Sequence, residues 1–133
     1  MVNILVTTHG SFCRKLLEAA EKIAGKQNNL YAVEMQSNES LPEMQAKLKD
    51  SLERIVDETG QGTLILVDML GGTPCNAAVP LCRVFNTEIV TGVNLPMLLS
   101  AMFASKKFES AKEVADKVFK DGQKSIINVK RLI

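Results

Sequence analysis

His9 is the only histidine in the chain of 133 residues, and imidazole is the side chain best able to exchange protons, or to accept a transferable group, near neutral pH. It follows a short β-branched run, Val2-Asn3-Ile4-Leu5-Val6-Thr7-Thr8, and precedes Gly10, where backbone can approach a ligand closely. Asp68 stands at the end of the most apolar run, Thr63-Leu64-Ile65-Leu66-Val67. A carboxylate beside an imidazole would accept the Nδ1–H, fix the tautomer and leave Nε2 as the nucleophilic nitrogen. Gly71-Gly72-Thr73-Pro74 comes next, with Thr73 suited to cap a helix and Pro74 to open it. Free amides there, with the Thr73 hydroxyl, form a seat for a phosphate or another oxyanion. Each feature alone has a plainer explanation, because lone histidines are often structural, aspartates cap turns and glycines serve backbone geometry. Their common position just after strands is what favours chemistry.

The elements that must position these residues are readable from periodicity. Phe12, Leu16, Ala20 and Ile23 at helical spacing predict a helix ending at Gly25. Leu30 to Met35 reads as a second strand, and Ser40-Leu41-Pro42-Glu43 as a capping box opening a helix that buries Met44, Leu48, Leu52 and Ile55. Continuous apolar character places the third strand at the centre of a parallel sheet. The helix after it should kink or break at Pro80. Glu88 to Val93 is a fourth strand, after which Asn94 caps a helix carrying Met97, Leu98, Ala101 and Met102. A last helix from Ser110 to Asp121, stopped by Gly122, leads to a further strand over Ser125-Ile126-Ile127-Asn128-Val129.

This alternation describes an α/β fold, a doubly wound, mainly parallel sheet of four parallel strands with helices on both faces and one more strand near the chain end. Residues 1–133 are expected to form a single domain. Ligands bind such sheets at the carboxyl ends of the strands, where strand order reverses. If the first and third strands are neighbours, His9, Asp68 and the glycine turn converge.

Composition narrows the function classes. Hydrophobic residues at 46% and charged residues at 23% exclude disorder. Sixteen lysines and arginines against 15 acidic residues give a net charge of +1, without the basic excess that binds nucleic acid. No stretch approaches the roughly 18 to 20 apolar residues of a membrane span, so any link to a membrane comes through partners. Cys13, Cys75 and Cys82 form no C-x-x-C pair and no disulfide framework, which suits a reducing, cytoplasmic setting. With one histidine they make a poor zinc set, and no metal site is assigned. Neither G-x-x-x-x-G-K-[ST] nor G-x-G-x-x-G is present, so a phosphate bound here does not belong to a nucleotide held in the P-loop or Rossmann manner.

Three segments carry a resemblance: Thr8-His9-Gly10, Val67-Asp68-Met69-Leu70-Gly71-Gly72-Thr73-Pro74-Cys75-Asn76-Ala77-Ala78, and Gly92-Val93-Asn94-Leu95-Pro96-Met97. Over nearly its whole length the chain resembles the IIA domains of the mannose family of the bacterial phosphoenolpyruvate-dependent sugar phosphotransferase system. The resemblance implies a cytoplasmic phosphocarrier whose histidine, matched by His9, accepts a phosphoryl group from phospho-HPr. The group then passes to a IIB domain, which phosphorylates sugar entering through a membrane permease. Asp68 would hold the ring through Nδ1, and Gly10, Gly71, Gly72 and Thr73 would surround the phosphate. The resemblance further implies no bound cofactor, an antiparallel C-terminal strand, and a homodimer in which that strand is exchanged between subunits. Two other classes use the same residues. A phosphotransfer subunit of a dihydroxyacetone kinase, or of a regulatory system, differs only in its partner. Thr73, His9 and Asp68 could also act as nucleophile, base and orienter in acyl transfer, although no G-x-S-x-G elbow supports that geometry.

Overall fold

Successive strand residues alternate between two separate apolar cores, which is how a two-residue side-chain period builds a three-layer protein. The computed structural model describes residues 1–133. Its strands are β1 (Asn3–His9), β2 (Leu30–Met35), β3 (Thr63–Val67) and β4 (Thr87–Val90). All neighbours pair in parallel, in the order β2-β1-β3-β4, so the chain winds outward in both directions from the β1/β3 pair. Five α-helices follow the strands: α1 (Phe12–Ala24), α2 (Leu41–Arg54), α3 (Thr73–Ala78), α4 (Leu95–Lys107) and α5 (Ala111–Ser125).

Ile4, Val6, Leu64 and Leu66 face a core completed by α1, α4 and α5, including Leu16, Leu98, Met102 and Val118. Leu5, Ile65 and Val67 face the other core, completed by Met44, Leu48 and Leu52 of α2 and by Cys75, Ala77 and Ala78 of α3. Every residue of β3 is buried, as its uninterrupted apolar sequence requires. Side chains such as Ile4, Leu5, Leu64 and Ile65 are wholly excluded from solvent, each contributing about 1.5 to 3 kcal/mol of hydrophobic free energy.

The helix boundaries follow local chemistry. Ser40 Oγ accepts the Glu43 amide at 3.3 Å while Glu43 Oε1 accepts the Ser40 amide at 3.2 Å, completing the capping box before α2. Asn94 Oδ1 accepts the Met97 amide at 2.9 Å and so caps α4. Pro80 interrupts the third helix: α3 ends at Ala78, and Val79–Arg83 continues as a 3-10 segment. Met97 and Met102 are core residues, Cys13 and Cys75 are buried, and the half-buried Cys82 accepts the Thr87 hydroxyl.

Four expectations need correction. The buried stripe of α1 is Cys13, Leu16 and Ala20. Phe12 and Ile23, predicted on that face, are 46% and 64% exposed, because the stripe is rotated toward Cys13. Thr73 is the first residue of α3, not its cap; Gly72 occupies the cap position and supplies no side chain. Gly122 lies inside α5 and does not stop it, since a Cβ there would sit 2.7 Å from Met97 Cγ. The glycine lets α5 pack closely on α4. Finally, no strand forms over residues 125–129. Ser125 is the last residue of α5, and Val129–Leu132 form a short 3-10 turn whose backbone bonds stay within the tail. Its apolar residues signal a surface suited to burial, but a strand also needs a partner ladder, and this tail has none within the chain.

Gly122→Ala is therefore expected to lower stability by about 1 to 3 kcal/mol through overpacking, in place of the gain of about 1 kcal/mol usual for glycine removal in an exposed helix. Met97→Ala in the same chain should recover part of that loss. Urea unfolding of both variants and their combination checks this, and additive losses would show that the two residues do not compete for space.

Candidate active site

Parallel pairing of Thr7 with Val67 sets the carboxyl ends of β1 and β3 side by side, and the next residues of each strand emerge together at the point where strand order reverses. Asp68 Oδ2 receives the backbone N–H of His9 at 3.0 Å and lies 2.7 Å from His9 Nδ1. Asp68 Oδ1 accepts the Met69 amide at 3.0 Å. One carboxylate thus holds its own turn, the end of the adjacent strand and the imidazole. The His9 side chain is 48% exposed and that of Asp68 only 15%.

Since a carboxylate only accepts hydrogen bonds, Nδ1 carries the proton of the neutral ring and Nε2 presents its lone pair. Nε2 makes no hydrogen bond within the chain. Partial burial of Asp68 is the largest single influence on its titration and opposes charge. Hydrogen bonds from the His9 ring and His9 amide, the attraction of the imidazole charge and the Met69 amide together outweigh it, holding the carboxyl below its ordinary pKa.

Two turns frame the ring. Gly10 and Gly71 adopt left-handed backbone, with φ of +57° and +83°, which side chains disfavour. The Gly10 amide donates to Met35 O at 2.8 Å, fastening the first turn to β2. Asn76 Nδ2 donates to Gly71 O at 3.2 Å, fastening the second to α3. Gly72 lies directly against the imidazole. The amides of Gly71, Gly72 and Thr73 donate to no protein acceptor, leaving them free for an anion. Thr8 carries no functional signal of its own in the sequence, yet its buried hydroxyl accepts the Cys13 amide at 2.8 Å, tying β1 to the start of α1 across the His9 turn. Only its inward position on a strand just before the histidine hints at this role.

The six predicted residues therefore lie on two adjoining turns, with a direct contact between His9 and Asp68 and close approach of Gly72 to the ring. An acyl-transfer relay would need the Thr73 hydroxyl to donate to Nε2, and that bond is not made. One surface cleft of about 350 Å³, lined by Asn28, Asn29 and Tyr31, sits at the amino ends of the strands, opposite the ring.

The α/β domain with its four-stranded parallel sheet has the fold of solved phosphotransferase-system EIIA components. The family profile described as "PTS system fructose IIA component" matches residues 3–119, and the chain belongs to this family. It is 36% identical over 103 residues to the PTS system fructose-specific EIIA component of Bacillus subtilis (strain 168), covering 77% of this chain and 69% of that protein. It is 29% identical over 126 residues to the PTS system mannose-specific EIIAB component of Escherichia coli (strain K12), covering 94% of this chain but only 38% of that longer relative. The crystal structure of a phosphotransferase system component EIIA from Streptococcus agalactiae superposes with a TM-score of 0.89 at 26% identity, covering 98% of this chain and 99% of that one.

The depressed Asp68 pKa carries a pH dependence of stability. An acid held below its unfolded value stabilises the fold above that value, about pH 4, and loses this contribution as pH falls through the folded pKa. The stability difference between the wild type and Asp68→Ala is expected to shrink as pH falls below about 4. Denaturant unfolding across that range measures it, and a difference unchanged down to pH 3 would contradict the assignment.

Proposed function

We propose that this chain is a phosphocarrier in which His9 Nε2 accepts a phosphoryl group from phospho-HPr and passes it to a IIB domain, the step that supports sugar uptake and phosphorylation. The observation that carries this reading is the 2.7 Å contact between His9 Nδ1 and Asp68 Oδ2, with Nε2 left open toward solvent. Attack by the Nε2 lone pair forms the new N–P bond as the N–P bond to the donor histidine breaks. No proton need leave: Nδ1 keeps its hydrogen and the ring becomes a phosphorylated imidazolium. Asp68 offsets that positive charge, while the free amides of Gly71, Gly72 and Thr73 are placed to receive phosphoryl oxygens.

The surroundings support a protein donor and a protein acceptor. Phe12, Met69 and Leu70, on the turns around the ring and the adjacent helix start, are exposed apolar side chains of the kind that anchor transient interfaces. An open imidazole on a rigid sheet suits in-line transfer between two docking proteins, where positioning and charge stabilisation do most of the work. No helix is long and apolar enough to cross a membrane, so in this reading the chain acts in the cytoplasm and reaches a permease through its IIB partner.

The reading extends to a homodimer. β4 is an edge strand with an unpaired side, and Phe119 on α5 is exposed beside it along a cleft that Val90 and Thr91 also line. The tail carries Ile126, Ile127, Val129, Leu132 and Ile133, all exposed. Exchange of these tails between two copies would cover both surfaces and supply the missing ladder.

Incubation with phosphoenolpyruvate, Enzyme I and HPr is expected to place one acid-labile phosphoryl group on the chain, and none on His9→Ala. Label retained by that variant, or an acid-stable phosphate on Thr73, would refute the assignment. Asp68→Ala is expected to slow uptake by about 10- to 100-fold with the fold intact, through loss of ring orientation; an unchanged rate removes Asp68 from the mechanism. Sedimentation should show a dimer for the full chain and a monomer when residues 126–133 are removed, whereas a full chain that stays monomeric at high concentration counts against tail exchange.

A further inference from the structure

The two adjacent glycines of the second turn are glycines for different reasons. Gly71 has φ of +83° and open space where a Cβ would stand, so its backbone alone explains it. Gly72 has φ of −77° and ψ of 163°, a conformation that any residue adopts. What excludes a side chain there is the imidazole. A Cβ on Gly72 would lie 2.8 Å from His9 Cε1, 3.5 Å from His9 Nε2 and 3.2 Å from Met69 Cγ.

We propose that Gly72 is a positioning residue for His9, the bare backbone surface against which the Cε1 edge of the ring is seated. The inference deepens the phosphocarrier reading and rests on it for its kinetic consequence. Cε1 lies between the two ring nitrogens. Nδ1 is bonded to Asp68 on one side, and on the other Cε1 occupies space that a Cβ on Gly72 would need; together these limits set the tilt and depth of the ring and deliver Nε2 to one place. Carbon atoms pack at about 3.5 Å or more, so a methyl group on residue 72 would displace the ring by roughly 0.7 Å. That movement stretches the Nδ1 bond to Asp68 and shifts the attacking nitrogen together, and misplacement on the order of 1 Å costs up to about 100-fold in rate. The same residue thus does two things: its amide is open to the phosphoryl group, and its lack of a side chain holds the ring.

The test uses the complete chain. Because His9 is the only histidine, the imidazole ¹⁵N resonances report one ring without assignment work. The wild type should show a protonated Nδ1 and a bare Nε2 in the neutral ring. Gly72→Ala is expected to show mixed tautomers, while phosphoryl uptake from phospho-HPr falls about 10- to 100-fold. Any stability lost in Gly72→Ala should be regained when His9→Ala is added, since the two side chains compete for one space. Met69→Ala added to Gly72→Ala should restore neither spectrum nor rate. A Gly72→Ala protein with the wild-type ring spectrum and uptake rate overturns the proposal, as does full restoration by Met69→Ala. If the wild type accepts no phosphoryl group, the phosphocarrier reading fails, but the ring spectra and the stability cycle still decide whether Gly72 seats the imidazole.

Discussion

The site depends on a single oxygen atom. Asp68 Oδ2 accepts two donors from the same residue, the main-chain N–H and the ring of His9, and so couples the path of β1 to the orientation of its terminal side chain. A ring bond alone would leave the backbone free to drift, and a backbone bond alone would leave the ring free to rotate. Because the carboxylate is anchored by its own Met69 amide and stands on a fully buried strand, the pair behaves as an extension of the sheet. The cost of partly burying its charge is met by three donors converging on two oxygens.

That coupling requires β1 and β3 to be neighbours, and the doubly wound topology makes them so. The chain leaves β1 for β2 on one side and returns to place β3 on the other, so the turns after β1 and β3 diverge toward opposite faces and open a crevice between them. α1 follows the first turn into one core and α3 follows the second into the other. The two core layers therefore meet at the site, each delivering one of its turns.

Much of this was legible in the sequence because the signals were local. The unbroken apolar run at β3, the Ser40 and Glu43 box, the Asn94 cap and the break at Pro80 each depend on a few neighbouring residues, and the structure realises all of them. The positions of His9 and Asp68 at strand ends followed from strand assignment, and their contact from the pairing of β1 with β3. What escaped the sequence was set by distant partners. Gly122 resembles a helix stop until Met97 is seen lying across it, and Gly72 resembles a flexible turn residue until the ring is seen against it. The stripe of α1 turned toward Cys13, where the buried Thr8 hydroxyl holds the first turn of the helix. The tail after Ser125 has the composition of a strand, but composition does not say which chain would supply the neighbouring one.

The half-exposed imidazole has a cost as well as a use. Sites that close over their reactants keep bulk water from intercepting labile intermediates, whereas this ring stands on an open rim without a cover. If His9 carries a phosphoryl group, as proposed, water can reach that group as readily as a docking protein can. Under that proposal the open ring suits rapid relay better than long storage, and fidelity would reside in the shapes of the proteins that dock on it.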